Sequence, residues 1–127
     1  MRILVADDSN FMRGQVIRML KTKFPQAEID DAPDGAVAVE KFVQGSYDLV
    51  LLDLLMPKIS GDGALKRIRE INQDVLVAIL SADVQKMTRE ELMLSGADLF
   101  LNKPISFEKI DQIISLMQER GIKFEEA

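Results

Sequence analysis

The feature that most constrains the fold is an alternation of short apolar runs with longer amphipathic segments, repeated five times in 127 residues. The apolar runs have the length of strands, and the segments between them carry apolar residues at helical spacing. Parallel strands that follow one another with short links need right-handed helical crossovers. The pattern therefore predicts one α/β domain, a (βα)5 fold over residues 1–121, with a short C-terminal tail over residues 122–127.

The elements can be placed by these runs and by turn and capping residues. Strands are predicted over residues 3–6, 28–32, 49–53, 75–80 and 99–101. Helices are predicted over residues 10–23 and 35–44, after the Ser60–Gly63 loop, from about Thr88 to Ser95, and from Ser106 to Gly121. Their expected buried faces are Met12, Val16, Met19 and Leu20; Ala36, Val39 and Val43; Ala64, Ile68 and Ile71; and Phe107, Ile110, Ile113, Ile114 and Met117. The tail from Lys123 to Ala127 is expected to fray.

The polarity of the strands indicates their order in the sheet. Strands one, three and four are apolar throughout, which suits central positions buried on both faces. Strand two is mostly polar and strand five is very short, as is typical of edge strands. The predicted architecture is a doubly wound five-stranded parallel sheet in the order 2-1-3-4-5, with helices on both faces. In this order the winding reverses between strands one and three, and ligands of such sheets bind at the carboxyl ends beside that reversal.

Three acids are expected to meet at that edge. The apolar run Leu49–Leu52 ends in Asp53, and strand one is followed by Asp7 and Asp8. Hard carboxylate oxygens in a solvent-facing crevice suit Mg²⁺. Each acid could instead simply cap a helix or end a strand in a polar loop.

Two further polar residues end strands on the same side. Ser81 follows strand four and offers a hydroxyl, and Lys103 follows strand five and offers a compact positive charge. Taken singly, each is better explained as a strand-end hydroxyl or a solvated loop charge. Their coincidence with three acids favours a site suited to phosphate.

Composition excludes several functions. The chain has no cysteine and no histidine, which rules out disulfides, thiolate or imidazole metal ligands, Ser-His-Asp catalysis and a phosphohistidine on this chain. The net charge of −5 disfavours direct binding of nucleic acid. No apolar run has the length of a membrane span or a secretory signal, so a cytoplasmic location is the default expectation.

A set of motifs, in sequence and at matching spacing, resembles the response-regulator receiver domain, the CheY-like family with a flavodoxin-like fold, over essentially the whole chain. The matching residues are Asp7-Asp8, Asp53, Met56-Pro57, Gly61, Ser81-Ala82 and Lys103-Pro104. The archetype of this family has the strand order 2-1-3-4-5. The resemblance implies a stand-alone phosphoacceptor of a two-component phosphorelay, which takes a phosphoryl group onto Asp53 from a sensor histidine kinase or a phosphotransfer protein.

The resemblance also implies roles for the neighbouring residues. Asp8, Asp53 and the backbone carbonyl of Leu55 would bind Mg²⁺ or Mn²⁺, with Asp7 acting mainly through water. Lys103 and Ser81 would contact the phosphoryl oxygens, and Lys103-Pro104 would be a cis peptide. Phe100 occupies the family's aromatic switch position.

Departures from the usual family pattern concern the switch and the lifetime of the phosphoryl group. Ser81 replaces the more frequent threonine, and Phe100 replaces tyrosine and so lacks a hydroxyl. Leu55 and Asp83 occupy the positions that tune loss of the phosphoryl group. The implied output is contact with a downstream protein through helix four, strand five and helix five, without direct contact to nucleic acid or membrane.

Two other functions compete with this one. A haloacid-dehalogenase-type phosphatase or phosphotransferase also forms an aspartyl phosphate, but it needs a second acid two residues after the nucleophile, where this chain has Leu55. A flavodoxin-like electron carrier needs a phosphate loop rich in hydroxyls and glycine after strand one, where Asp7-Asp8 would repel phosphate. We therefore expect a phosphorylation-controlled binding module, and not an enzyme beyond its own phosphorylation and dephosphorylation.

Overall fold

The computed structural model describes residues 1–82 and 89–124, and its strands alternate with helices as the sequence predicts. The strands are β1 (Arg2–Ala6), β2 (Glu28–Ala32), β3 (Leu49–Asp53), β4 (Leu76–Ser81) and β5 (Leu99–Asn102). The helices are α1 (Asn10–Lys23), α2 (Gly35–Gln44), α3 (Gly61–Ile71), α4 (Arg89–Leu94) and α5 (Phe107–Glu119). Predicted boundaries differ from these by a residue or two, and Thr88, the expected start of α4, lies outside the described residues.

The sheet has the predicted order β2-β1-β3-β4-β5, and every neighbouring pair is parallel. The register pairs Ala6 with Leu52 and Asp53 with Leu80, so β1, β3 and β4 end nearly level with one another. The residues that follow β1 and end β3 consequently lie at one edge of the sheet. The predicted order is confirmed, and with it the position of the winding reversal.

Alternation along the central strands divides the core into two layers, because successive strand residues point to opposite faces. One face packs under α2 and α3 and includes Leu4, Val50, Leu52, Val77 and Ile79. The other packs under α1 and α5 and includes Ile3, Val5, Leu49, Leu51 and Leu76. Because β3 is buried on both faces along its whole length, its terminal Asp53 is buried as well.

The buried face of α2 differs from the predicted one. Ala36 and Val39 are only half-buried and Val43 is 61% exposed, whereas Gly35, Ala38 and Phe42 are buried. A Cβ on Gly35 would lie 1.8 Å from the carbonyl oxygen of Ile59, so only glycine allows this approach. The close contact places the start of α2 against the loop after β3, and the helix faces the core with Gly35, Ala38 and Phe42.

The prediction of burial is also wrong for two residues at helix ends. Ile71 is 55% exposed because α3 ends there, and Phe107 is 43% exposed because it is the first residue of α5. The Phe107 ring lies 5.8 Å from the ammonium nitrogen of Lys23. The remaining α5 prediction holds, since Ile110, Ile113, Ile114 and Met117 are buried.

The start of the C-terminal tail does not fray. Phe124 packs its ring edge-on against Phe24, with ring centroids 5.3 Å apart, and Phe24 is fully buried. Ile122 also packs against the α1/α5 side of the core. The prediction of fraying is thus wrong for the segment up to Phe124, while residues 125–127 lie outside the described residues.

Lys58, in the loop after β3, adopts a left-handed backbone conformation with φ of 68°. A lysine there costs on the order of 1 kcal/mol relative to its usual conformations, whereas asparagine tolerates this region. The Lys58 ammonium lies 3.7 Å from Asp34, but its side chain is 69% exposed, so the ion pair contributes little. We expect Lys58→Asn to raise the free energy of unfolding by about 0.5–1 kcal/mol, measured by urea denaturation. An unchanged or lower value would show that the ion pair outweighs the backbone strain.

Within the part of the chain that the structure describes, no helix combines the length and the apolar character needed to cross a bilayer.

Candidate functional site

The predicted acids meet at the carboxyl edge of the sheet. Asp7 and Asp8 directly follow β1, and Asp53 is the last residue of β3. One carboxylate oxygen from each lies within 4.8 Å of the others. Asp7 and Asp53 are buried, and Asp8 is exposed. The chain topology thus brings residues that are far apart in sequence into one cluster with an opening to solvent at Asp8.

Both carboxylate oxygens of Asp7 already accept hydrogen bonds from the protein. The Ser9 backbone N–H donates to Oδ1 at 2.9 Å, and the Lys103 ammonium donates to Oδ2 at 2.9 Å. The Asp7 backbone N–H in turn donates to the carbonyl of Ala32 at 3.1 Å. The Asp7 carboxylate is therefore held in place by protein donors on both oxygens, and its contact with a metal through water remains a prediction.

Lys103 lies between the two buried acids. Its ammonium nitrogen is 2.9 Å from Asp7 Oδ2 and 3.1 Å from Asp53 Oδ2. The following peptide bond, Lys103-Pro104, is cis, as the resemblance implied. The Lys103 N–H donates to the carbonyl of Ser81 at 2.8 Å, which ties the end of β5 to the end of β4. The lysine thus offsets negative charge that would otherwise be buried without a partner.

Burial dominates the electrostatics of Asp53. It raises the pKa of this carboxyl from 3.8 to about 6, and the negative charges of Asp7 and Asp8 add to the rise, while Lys103 opposes it. For Lys103, burial alone would lower the pKa, but its hydrogen bonds to Asp7 and Asp53 outweigh burial and raise it. Lys103 therefore remains charged. Its single positive charge does not balance the three acids, so a further cation bound there would be stabilised by their negative charge.

The loop after β3 is held against the strand end by a glycine. A Cβ on Gly61 would lie 2.3 Å from the carbonyl oxygen of Asp53, and the Gly61 N–H donates to the carbonyl of Leu54 at 2.8 Å. This close packing folds the loop back onto the end of β3, and Leu55, two residues after Asp53, has 46% of its surface exposed. An apolar, solvent-facing side chain therefore follows Asp53 closely in the chain.

The predicted switch residues lie on the neighbouring strands. Ser81 is the last residue of β4 and is only 2% exposed. Phe100 lies in β5, is half-buried, and packs against the α2/α3 side of the core. Asp83, predicted to tune loss of the phosphoryl group, lies outside the described residues. The roles of all three remain predictions.

Sequence reasoning does not find Arg13, which lies one turn into α1. Its guanidinium donates to the backbone carbonyl of Asp7 at 2.7 Å and to the Asp31 carboxylate at 2.9 Å. One available signal is the acidic character of strand two, where Asp30 and Asp31 offer partners for a basic side chain. The other is a basic residue on the first helical turn after two acids.

The residues at this edge fit a divalent cation with oxygen ligands. Three carboxylates converge, one of them is exposed to solvent, and the charge of Lys103 does not neutralise all three. Mg²⁺ is bound in proteins by one or two carboxylates while it keeps several waters. The donor set and its excess negative charge match that requirement.

Comparison with known proteins agrees with this geometry. The family model of the response regulator receiver domain matches residues 3–115. The chemotaxis protein CheY of Bacillus subtilis is 34% identical over 114 residues, which cover 90% of this chain and 94% of that protein.

Solved structures of similar proteins share the fold. The CheY protein in the CheX–CheY–BeF3–Mg²⁺ complex from Borrelia burgdorferi has a TM-score of 0.84 at 30% identity, covering 92% of this chain and 89% of that one. The response regulator TrrA from Thermotoga maritima, in complex with Mg²⁺ and BeF, has a TM-score of 0.80 at 34% identity, covering 91% and 97% of the two chains. From the matched family, the fold and the sequence identity together, the chain belongs to the response regulator receiver domain family of two-component systems.

Proposed function

We propose that the protein is a phosphoacceptor that takes a phosphoryl group onto Asp53 with the help of Mg²⁺. The observation that carries this proposal is the convergence of Asp7, Asp8 and Asp53 around Lys103 at the carboxyl edge of the sheet. The relatives solved with Mg²⁺ and a beryllium fluoride support the choice of ligands. A Mn²⁺ ion, which also favours carboxylate oxygens, is an alternative occupant.

In the proposed reaction Asp53 is the nucleophile. A carboxylate oxygen of Asp53 forms a bond to the phosphorus of a phosphohistidine, the phosphorus–nitrogen bond breaks, and its electron pair stays on the imidazole nitrogen. Asp8, Asp53 and the Leu55 carbonyl would hold Mg²⁺, which when bound offsets the charge of the phosphoryl oxygens. Lys103, already 3.1 Å from Asp53, would pair with a phosphoryl oxygen once the carboxylate has become an acyl phosphate.

The donor is proposed to be a sensor histidine kinase or a phosphotransfer protein, because this chain contains no histidine of its own. The protein would act as a switch and not as an enzyme, since it would consume a phosphoryl group only to change its own state. The expected cytoplasmic location and the absence of direct nucleic-acid binding remain predictions.

Mass spectrometry after incubation with a small phosphodonor and Mg²⁺ tests the assignment. We expect the mass increase of one phosphoryl group, mapped to Asp53, and its loss in Asp53→Asn and in the presence of EDTA. As a matched control, Asp74→Asn changes an exposed acid away from the site and should leave labelling intact. Equal labelling of Asp53→Asn and the unmodified protein would refute the assignment.

The proposed output surface consists of α4, β5 and α5. On α4, Met93 is 42% exposed and Leu94 is 89% exposed, so the described part of this helix presents apolar side chains to solvent. A phosphoryl group at Asp53 would attract the Ser81 hydroxyl, and Phe100 would move inward into the space near β4. The relative solved with CheX shows that a CheY protein binds another protein.

This output has a direct test by NMR. Phosphorylation would shift an equilibrium between Phe100 orientations only as far as the phosphoryl group favours one of them. We expect beryllofluoride with Mg²⁺ to change the shifts of Phe100 and of α4 and α5 as well as those near Asp53. Changes confined to the Asp53 crevice would contradict the coupling.

The side chain of Leu55 should prolong the life of the phosphoryl group. It is apolar, 46% exposed and two residues after Asp53. If it lies beside the phosphoryl group, as the family resemblance implies, it would limit water access and could not orient an attacking water. We expect Leu55→Asn to speed hydrolysis by roughly tenfold, because an amide can position a water beside the phosphorus. The decay of phosphoprotein after removal of the donor measures this rate. Val43→Asn, which changes an exposed apolar residue of α2, is the control, and equal decay in the two variants would contradict the role of Leu55.

A further inference from the structure

We infer that Arg13 is a positioning residue that fixes the direction in which Asp8 presents its carboxylate to the metal. This inference rests on the proposed function, because it concerns the same Mg²⁺ site. Arg13 lies on α1 and contacts the acidic turn through the backbone and not through a metal ligand.

The contact is made to the peptide group that links Asp7 to Asp8. The Arg13 guanidinium donates from Nη1 to the Asp7 carbonyl oxygen at 2.7 Å, while the N–H of the preceding peptide group, that of Asp7, donates to the Ala32 carbonyl at 3.1 Å. Because a peptide group is planar, a hydrogen bond that restrains its carbonyl oxygen also restrains the adjoining N–H and Cα of Asp8. Arg13 therefore restrains the backbone from which Asp8 presents its carboxylate, and it does so without supplying a metal ligand.

Arg13 is itself held in place by two side chains and by its helix. Its Nε donates to Asp31 at 2.9 Å and its Nη2 donates to Asn10 at 2.6 Å, while only 13% of its side chain is exposed. Its backbone N–H donates to the carbonyl of Ser9, the residue that caps α1. The planar fork thus spans the end of β2, the start of α1 and the acidic turn, and a lysine cannot reproduce these three contacts.

The charge of Arg13 and its positioning contact predict opposite changes in Mg²⁺ affinity when Arg13 is replaced. A guanidinium near the site repels a divalent cation, so removing its charge should by itself tighten Mg²⁺ binding. Loss of the contact to the Asp7 carbonyl should instead weaken binding, since removing a group that orients a metal ligand typically costs about tenfold or more in affinity. The sign of the change therefore separates a positioning residue from a distant charge.

The experiment is a Mg²⁺ titration of the full chain at fixed ionic strength, followed by the NMR shifts of the Asp8 and Asp53 amides. We expect Arg13→Met to raise the Kd for Mg²⁺ about tenfold and Arg13→Lys to raise it by roughly threefold. Arg18→Met is the matched control, because it removes an exposed arginine from the same helix, and it should keep the Kd within about twofold of the unmodified protein.

Each outcome decides the inference. A Kd for Arg13→Met equal to or lower than that of Arg18→Met would overturn it, even if Arg13→Met melts at a lower temperature. If Arg13→Met does not fold, Arg13→Lys and Arg18→Lys are compared, and equal Kd values overturn the inference. Absence of Mg²⁺ binding by the unmodified chain would refute the proposed function. If the unmodified chain binds Mg²⁺ and both Arg13 variants bind it with the same Kd, only the role of Arg13 is refuted.

Discussion

Replacing Lys103 by methionine is expected to lower the free energy of unfolding of the metal-free protein by about 3 kcal/mol at neutral pH. The substitution removes a cation that lies within 3.1 Å of both Asp7 and Asp53, and these acids are 1% and 5% exposed. Without Lys103, burial and the negative charge of Asp7 raise the pKa of Asp53 with no nearby cation to oppose them, so Asp53 is expected to take up a proton. Urea denaturation in EDTA measures the loss.

Mg²⁺ should restore much of the stability of Lys103→Met, because the ion supplies the positive charge that the lysine no longer provides. The stabilisation by Mg²⁺ should therefore be larger in this variant than in the unmodified protein. Lys66→Met, which changes an exposed lysine of α3, is the control, and its free energy of unfolding should change little. If Lys103→Met is no less stable than Lys66→Met in EDTA, the two ion pairs do not stabilise the fold.

The second large effect is expected for Asp53→Asn, which should make the metal-free protein more stable. Folding raises the pKa of Asp53 from 3.8 to about 6, chiefly through burial. Each pKa unit corresponds to about 1.4 kcal/mol, so keeping this carboxylate ionised in the folded protein costs up to about 3 kcal/mol. Asparagine occupies similar space without the charge and avoids this cost.

The sign and pH range of this effect follow from proton binding. The folded state binds the Asp53 proton more tightly than the unfolded state does. The contribution of Asp53 to the free energy of unfolding therefore falls as the pH rises from about 4 to about 6, and it stays low at higher pH. The advantage of Asp53→Asn in EDTA should thus reach about 2–3 kcal/mol at pH 7 and shrink toward pH 4.

Two comparisons complete that experiment. At pH 7, Mg²⁺ should reduce the difference in free energy of unfolding between Asp53→Asn and the unmodified protein, because it stabilises the protein that retains Asp53 as a ligand. Asp74→Asn changes an exposed acid and should show no comparable gain. A difference between Asp53→Asn and the unmodified protein that is independent of pH would contradict a cost arising from ionisation.

The sheet was predictable because the strands differ strongly in polarity. The unbroken apolar run of β3 requires a position buried on both faces, whereas the acids of β2 require an edge, and these two requirements determine most of the strand order. The meeting of Asp7 with Asp53 follows directly, because parallel strands that end level place their last residues side by side. The convergence of the acids was thus a consequence of topology.

Details that depend on packing between elements could not be predicted in the same way. Helical spacing alone predicts that Val43 points inward, but α2 buries Gly35, Ala38 and Phe42, with Gly35 against the Ile59 carbonyl, and Val43 is exposed. The bridging position of Lys103 and the contact of Arg13 with the Asp7 carbonyl join residues from different elements. Such contacts depend on side-chain reach across the fold, which a linear pattern does not contain.

The edge-on contact of Phe124 with Phe24 bears on where a stable fragment of this protein should end. The family match stops at residue 115 and the last helix at Glu119, yet the ring that covers Phe24 comes from residue 124. A fragment cut at Gly121 would leave part of a large apolar ring in contact with water, at a cost that rises with the area uncovered. A fragment that extends through Phe124 keeps this contact, and a fusion partner or purification tag is better joined beyond that residue.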